Sequence, residues 1–359
     1  MMPQPAYAPQ TPYGHIMFLG VPVPDPAAPR QPPAQQVPGF DFAATKASID
    51  KTKKMMSIDE KTLIEVMLSL TIPQMHALDS YIRELKKESL VKYLKDLIGM
   101  KSSSAFTAVI CALAAGPIIY DAELVFQAVD GIGTNEEKLN EVLLTRDHQE
   151  IVALRKAYED VLQEKKKDGK RTLYSDVEKD LSGVDWDLFR GAIETQRLPE
   201  NAQPVDHARV QADYAALMNA ITDKAELFKI LNNAPKNHLA AVYQTGVENG
   251  INLNSKDHFK SRFSADKDLR DSLRYLFGAV TSMKAYDGLY GIRQDAELLT
   301  ESDEKQLTYR IVRGHWNAKR WAAVKEQFQS TKGVSLEDYV KKKTSGSLED
   351  ILVALVRKK

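Results

Sequence analysis

From residue 41 onward, hydrophobic residues recur at intervals of three and four positions, which predicts helices almost throughout the chain. Strict alternation of hydrophobic and polar residues, which would predict half-buried strands, is rare. Short amphipathic segments occur as four pairs: 90–98 with 106–113, 173–181 with 186–193, 258–263 with 269–277, and 336–342 with 348–356. The pattern therefore predicts an all-α fold.

The helical pattern repeats along the chain. Leu63, Leu139 and Leu227 begin similar apolar motifs, and a looser copy begins near Leu307. Each copy includes one of the paired segments, which gives a unit of about 80 residues and five helices. The sequence thus predicts four repeats, at 41–117, 118–199, 200–283 and 284–359, which follow a tail at 1–40.

The tail has a different composition, because eleven of the sixteen prolines of the chain lie in residues 1–40. Such spacing opposes helix formation and favours extended chain. We expect this tail to be disordered in isolation, with residues 16–23 packing on the body through their apolar side chains.

Charge and cysteine content narrow the function. Lys plus Arg and Asp plus Glu number 49 each, so the formal net charge is zero and nonspecific nucleic-acid binding is not expected. The single cysteine, Cys111, fits a reducing, cytoplasmic location. We identify no secretory signal, no uninterrupted apolar run near the roughly 20 residues that span a bilayer, and no set of side chains that converges on a reaction.

A glycine-containing turn, Gly131-Ile132-Gly133, separates helices expected at 120–130 and 135–145. Thr134 is well placed to cap the second helix, with Glu136 in its first turn. The turn can be a simple helix connector. Alternatively, its carbonyl groups and the nearby acids suit a hard cation that takes oxygen ligands, namely Ca²⁺.

The second repeat contains a more specific motif, Asp121-Ala122-Glu123-Leu124 followed by Gly131-Ile132-Gly133-Thr134-Asn135-Glu136-Glu137-Lys138-Leu139, and then Arg146 and Tyr158. The stretches at 180–183 and 343–346 resemble the turn before the last helix of an annexin repeat. With four repeats of five helices, the chain closely resembles the annexins. The resemblance implies a curved disc whose convex face carries calcium sites that bridge to acidic phospholipids.

The resemblance also implies the ligands of one calcium site. They are the carbonyl groups of Val129, Gly131 and Gly133 and the carboxylate of Asp180. Because the chain between the loop and this acid is longer than is usual in the family, Asp176 or Glu178 remains an alternative. A lesser site would use the Thr134 carbonyl and Glu136. Asp130 stands where the family usually has a basic residue, so it adds a ligand or opposes a lipid phosphate.

The corresponding loops of the other repeats lack glycine, and we expect them to be solvated surface. The position equivalent to Asp180 is Lys101 in the first repeat, Ser264 in the third and Lys343 in the fourth. Alternatively, the two lysines contact anionic headgroups directly, or the acids of the fourth loop hold a loosely bound calcium. Those acids are Glu301, Asp303 and Glu304.

These features favour a calcium-dependent protein that binds acidic phospholipid membranes peripherally, mainly through the second repeat. The alternative is a calcium-independent scaffold whose tail or disc surface binds cytoskeletal or other proteins. Neither interpretation requires an enzymatic activity.

Overall fold

The computed structural model describes residues 14–167, 169–199, 204–219, 224–255, 267–281 and 289–358. Two compact units are present, one formed by residues 121–295 and the other by residues 14–120 and 296–358. We call them the first and the second unit. The predicted segment 258–263, the third-repeat loop at 220–223, Ser264 and the first thirteen residues lie outside the described ranges.

The described residues are mainly helical, which confirms the all-α prediction. The first part of the chain forms β1 (His15–Phe18), β2 (Val21–Pro24), α1 (Pro33–Gln36), α2 (Phe42–Lys51), α3 (Glu60–Ser69), α4 (Ile72–Lys86), α5 (Leu90–Ile98) and α6 (Ser104–Val129). The next elements are α7 (Glu136–Leu143), α8 (His148–Glu164), α9 (Leu173–Asp180), α10 (Gly183–Ile193), α11 (His207–Asn219), α12 (Lys224–Asn233), α13 (Lys236–Glu248) and α14 (Lys267–Val280). The last are α15 (Ile292–Glu301), α16 (Glu304–Gly314), α17 (Ala318–Lys332), α18 (Leu336–Lys343) and α19 (Gly346–Arg357).

Helix boundaries follow local sequence signals. Capping boxes begin four helices, because a side-chain oxygen and the residue three positions later satisfy each other's backbone amides. They start α4, α8, α9 and α16. In α5, the leucines at positions 90, 94 and 97 are buried together with Ile98, as expected for one apolar helix face. Seven of the eight predicted amphipathic segments fall in described helices, and the division into four repeats remains a prediction.

Helix α6 is interrupted near its middle. Gly116 has φ 74° and ψ 176°, and Pro117 follows, so two helices meet at a break. Of the described helices, α6 is the one whose length and composition alone would allow it to cross a membrane. The sequence-based expectation of no such apolar stretch therefore needs this qualification. Because most of the stretch is buried and the backbone breaks at Gly116, we describe α6 as part of the core.

In the full chain the proline-rich segment is ordered from residue 14 onward, and disorder of the tail in isolation stays a prediction. β1 and β2 pair as an antiparallel hairpin, with Phe18 and Val23 buried in the second unit. Asn317 donates a side-chain hydrogen bond to the Leu19 carbonyl at 3.1 Å. Prolines are tolerated in β2 because a two-stranded hairpin has free edges. The expected packing of residues 16–23 on the body is thus confirmed.

Arg197 lies fully buried in the first unit, just after α10. Its guanidinium donates to the Leu144 carbonyl at 3.0 Å and to the Leu231 carbonyl. Burial lowers the pKa of Arg197 to about 10, against the opposing effect of Asp147 and Glu150. This side chain joins the ends of α7 and α12 by hydrogen bonds to their terminal carbonyl groups.

Candidate metal centre

The turn between α6 and α7 differs from the prediction at its helix cap. The side chain of Asn135, not that of Thr134, caps α7 by accepting a bond from the Lys138 amide at 2.9 Å. Asparagine is as good an N-cap as threonine. The prediction of Thr134 as the cap is therefore wrong by one residue, and the threonine hydroxyl is left available for another contact.

Thr134 and Asp180 meet in the structure although they are 46 positions apart. The Thr134 hydroxyl donates to the backbone carbonyl of Asp180 at 3.1 Å and also lies 3.4 Å from a carboxylate oxygen of that residue. Asp180 is the last residue of α9, and both side chains are half-buried. The turn and the acid named from the sequence are therefore neighbours.

The main chain of the turn leaves its carbonyl groups available. The amide of Asn135 bonds to the carbonyl of Ala128, and the amide of Asp130 bonds to that of Phe126. Within the described ranges, no backbone amide donates to the carbonyls of the three predicted ligands, Val129, Gly131 and Gly133.

Only one of the two glycines adopts a left-handed conformation. Gly133 has φ 80°, whereas Gly131 lies outside this region. Val129 is buried at the end of α6, both glycines are exposed, and Glu136 is half-buried at the start of α7. The turn is thus an exposed bend with oxygen atoms of the main chain near one half-buried carboxylate.

Asp176, one alternative ligand, is engaged elsewhere. Its buried carboxylate accepts a hydrogen bond from the Tyr158 hydroxyl at 2.7 Å and from Arg171 Nε at 2.9 and 3.0 Å. Burial and the bond to this carboxylate raise the pKa of Tyr158. The other alternative, Glu178, is exposed on α9. Of the three acids, Asp180 is the one with a hydrogen bond to Thr134.

Asp130 forms ion pairs with two cations. Lys167 Nζ lies 3.2 Å from both carboxylate oxygens, and Arg171 lies 3.3 Å from one of them. Burial alone would raise the pKa of Asp130, but these two cations lower it below the ordinary value. Sequence reasoning missed this pairing because the partners lie in the basic connector between α8 and α9.

The same connector is fixed on its apolar side. Lys165, Lys167 and Arg171 lie 4.9, 5.3 and 5.6 Å from the centre of the Phe126 ring. Cations at such distances over an aromatic face are attracted by the ring. The extra residues of the connector are thus accommodated beside α6, and Asp180 keeps its contact with Thr134.

The corresponding turn of the fourth predicted repeat is closed by its own side chains. Arg310 and Ser302 both donate to the carbonyl of Leu298, each at 2.8 Å. The Tyr339 hydroxyl donates to the Thr300 carbonyl at 2.9 Å. Asp303 is committed as the N-cap of α16. These contacts favour the expected loss of a cation site over a loose calcium site.

The turn of the first predicted repeat is also closed. Lys53 and Ile58 form an antiparallel bridge, and backbone amides occupy the carbonyls of Thr52 and Ser57 at 2.7 and 3.0 Å. Residues 52–58 are all described, and none of them is a glycine or adopts a left-handed conformation. The carbonyl groups of Thr52 and Ser57 therefore serve the turn itself.

The donors at the second-repeat turn are chemically uniform. Carbonyl oxygens and one carboxylate are ligands for a hard cation such as Ca²⁺, and soft or borderline metals prefer nitrogen and sulfur. In the part of the chain that the structure describes, no three His, Cys, Asp or Glu side chains form a metal-binding group. The residues present fit a calcium ion whose remaining ligands come from outside the protein.

Comparisons with known proteins identify similar sequences. A family model described as Annexin matches residues 120–188, which include the turn and Asp180. Annexin C1 of Cryptococcus neoformans is 31% identical over 353 residues, which cover 95% of this chain and 70% of that protein. Annexin A13 of Canis lupus familiaris is 27% identical over 326 residues, covering 89% and 96%.

Solved structures show the same fold. Annexin III superposes with a TM-score of 0.74 at 20% identity, covering 91% of this chain and 97% of that one. A calcium-bound annexin (Sm)1 gives a TM-score of 0.73 at 21% identity, covering 89% and 91%.

Proposed function

Because the chain belongs to the annexin family, we propose that it binds acidic phospholipid membranes peripherally and in a calcium-dependent manner, mainly through its second repeat. The four repeats have the boundaries given by the sequence, and the protein acts on the cytoplasmic side of the membrane. The carrying observation is the contact between Thr134 and Asp180, which brings one of the three candidate acids beside the carbonyl groups of the turn.

The carbonyls of Val129, Gly131 and Gly133 and the carboxylate of Asp180 hold the ion. A calcium ion held there would supply positive charge that attracts the phosphate group of an acidic lipid. A single carboxylate leaves net positive charge on a divalent ion, which favours an anionic phosphate as a further ligand. The Thr134 carbonyl and Glu136 supply the lesser site.

The basic connector between α8 and α9 supports the same function. Asp130 would repel a lipid phosphate, but Lys167 and Arg171 pair with it. The acid that replaces the usual basic residue is thereby neutralised. The connector restores positive charge near the turn, and this makes the surroundings compatible with an acidic membrane.

The test is co-sedimentation with vesicles of phosphatidylserine and phosphatidylcholine over a calcium titration. We compare the unaltered chain with Asp180→Asn and with Glu178→Gln, a matched control on the same helix. The main bond from Thr134 goes to the backbone carbonyl of Asp180, so Asp180→Asn removes the charge without removing that bond.

The expected loss follows from the charge. At about 4 Å, a unit charge and a dication attract by about 2 kcal/mol even in water, which corresponds to about 30-fold in affinity. Asp180→Asn should therefore raise the half-saturating calcium concentration by at least this factor, whereas Glu178→Gln should not. Equal calcium dependence of all three proteins would contradict the proposal.

A scaffold function independent of calcium is the second candidate, and the closed turns of the first and fourth repeats favour it. In that case, binding to cytoskeletal or other protein partners through the N-terminal tail would persist in chelator. Deletion of residues 1–40 would abolish it. Partner binding that survives this deletion would assign the interaction to the disc surface, and partner binding that is lost in chelator would count against the scaffold function.

A further inference from the structure

Three methionines of the second unit are almost fully exposed. Met55 and Met56 are 89% and 86% exposed in the turn between α2 and α3, and Met100 is 102% exposed in the turn after α5. Methionine is usually a buried residue. We call these three side chains the methionine patch.

The first of the two turns is built to hold its methionines outward. The Lys53–Ile58 bridge forms the base of a short hairpin, with Met55 and Met56 at its tip. A bond from the Asp59 amide to the Thr52 carbonyl, 2.7 Å long, closes the hairpin below the bridge. The tip is thus a fixed apolar projection.

A side-chain hydrogen bond connects the second turn to the start of α3, which follows the first turn. The Ser102 hydroxyl donates to the Glu60 carboxylate at 2.5 Å, and the Ser347 hydroxyl donates to the same oxygen at 2.8 Å. Glu60 is the first residue of α3 and follows the hairpin directly. The two methionine-bearing turns are therefore neighbours in one unit.

The surroundings of the methionine patch are basic. Residues 51–60 and 99–103 contain more lysines than acids, so cations are in excess. Of the acids, Asp59 pairs with Lys54 at 3.3 Å, and Glu60 is engaged by the two serines. Lys51 and Lys53 are exposed, and Lys101 is half-buried beside Met100.

We infer that the methionine patch is a second membrane-docking site, which inserts into the interface of an acidic bilayer without calcium. An exposed apolar cluster with a polar rim is typical of interaction surfaces. The excess of lysines selects an anionic surface, and each lysine near such a surface strengthens binding about fivefold. Flexible, unbranched methionine side chains adapt to disordered acyl chains. The inference does not rest on the calcium site of the second repeat.

The test uses the full chain, calcium chelator, and vesicles of equal parts phosphatidylserine and phosphatidylcholine at low ionic strength. The unaltered protein should partition onto these vesicles, and high salt should weaken the binding. The variant Met55→Gln/Met56→Gln/Met100→Gln should lose at least tenfold in partition coefficient. Because the three side chains are exposed, its melting temperature should be unchanged.

Two further variants separate the contributions. Leu85→Gln/Val334→Gln removes exposed apolar side chains elsewhere in the second unit and should bind normally. Asp180→Asn should retain all binding in chelator, so the two membrane sites can fail independently.

Three results would overturn the inference. One is an unaltered protein that stays in solution with chelator, and another is a methionine variant that binds like the unaltered protein. The third is a methionine variant that changes the sedimentation coefficient of the protein alone while vesicle binding stays the same. That result would make the methionine patch an interface between copies of the chain.

Discussion

Replacing Asp176 with Asn should destabilise the first unit and leave calcium-dependent membrane binding intact. The Asp176 carboxylate is buried and accepts bonds from Tyr158 at 2.7 Å and from Arg171 at 2.9 Å. Hydrogen bonds to a charged group contribute about 1.5–3 kcal/mol. The amide keeps one acceptor oxygen, and Arg171 is a quarter exposed, so solvent screens part of the lost attraction.

We therefore expect a loss of about 2 kcal/mol in the free energy of unfolding. For a unit of this size, each kcal/mol lowers the melting temperature by about 2–4 °C, which gives a shift of about 4–8 °C. Asp180→Asn lies at a half-exposed position and should shift it by less than about 2 °C. Tyr158→Phe removes one of the bonds to Asp176 and should fall between the two.

Differential scanning calorimetry of the full chain measures these shifts, and vesicle co-sedimentation below the lowest melting temperature measures calcium dependence. Asp176→Asn should change mainly the melting temperature, and Asp180→Asn should change mainly the calcium dependence of membrane binding. If Asp176→Asn abolished calcium-dependent binding while Asp180→Asn retained it, Asp176 would be the ligand. An unchanged melting temperature for Asp176→Asn would refute a stabilising role for this buried carboxylate.

Three more predictions concern other positions. Gly133→Ala places a side chain at φ 80°, which costs about 1 kcal/mol, so the calorimetric melting temperature of the first unit should fall by about 2–4 °C. Gly131→Ala, which has the same open surroundings and no left-handed backbone, should leave it unchanged. Burial lowers the pKa of His315 to about 3, partly opposed by its bond to the Val312 carbonyl. Because the unfolded state binds the proton at higher pH than the folded state does, the free energy of unfolding should fall as pH drops from about 6.5 toward 3. The loss should reach up to about 1.4 kcal/mol per pH unit. In His315→Gln, the melting temperature should therefore depend less on pH between 7 and 5. Arg197→Met leaves buried carbonyls without donors and should cost about 2 kcal/mol or more in the calorimetric unfolding of the first unit; an unchanged transition would show that water replaces the guanidinium.

The helices were predictable because their signals are local. Segment 90–98 was predicted with the bounds observed for α5, since its apolar spacing and the serine cap before it act within one helix. The pairing of the turn with Asp180 is a contact across 46 positions, and only the family resemblance pointed to it.

Contacts made by long side chains were not predictable. Asp130 could be given no partner from sequence, because Lys167 and Arg171 reach it from a connector whose path depends on packing against Phe126. The composition of the proline-rich segment predicts disorder in isolation and does not give its path in the full chain, where two apolar side chains, Phe18 and Val23, are buried in the second unit. The predicted N-cap of α7 lies one residue before the observed one, because Thr134 and Asn135 are both residue types that cap helices well.

The hydroxyl bond from Thr134 to the main chain of Asp180 has a consequence for the speed of release. Because the turn is already hydrogen-bonded to α9 in the folded protein, binding of the ion costs little conformational entropy at the turn. Withdrawal of the ion then leaves the bend in place, so detachment from a bilayer requires no local refolding. Amide hydrogen exchange at Asn135, whose amide bonds to the Ala128 carbonyl, should accordingly proceed at the same rate in ion-free and ion-loaded protein.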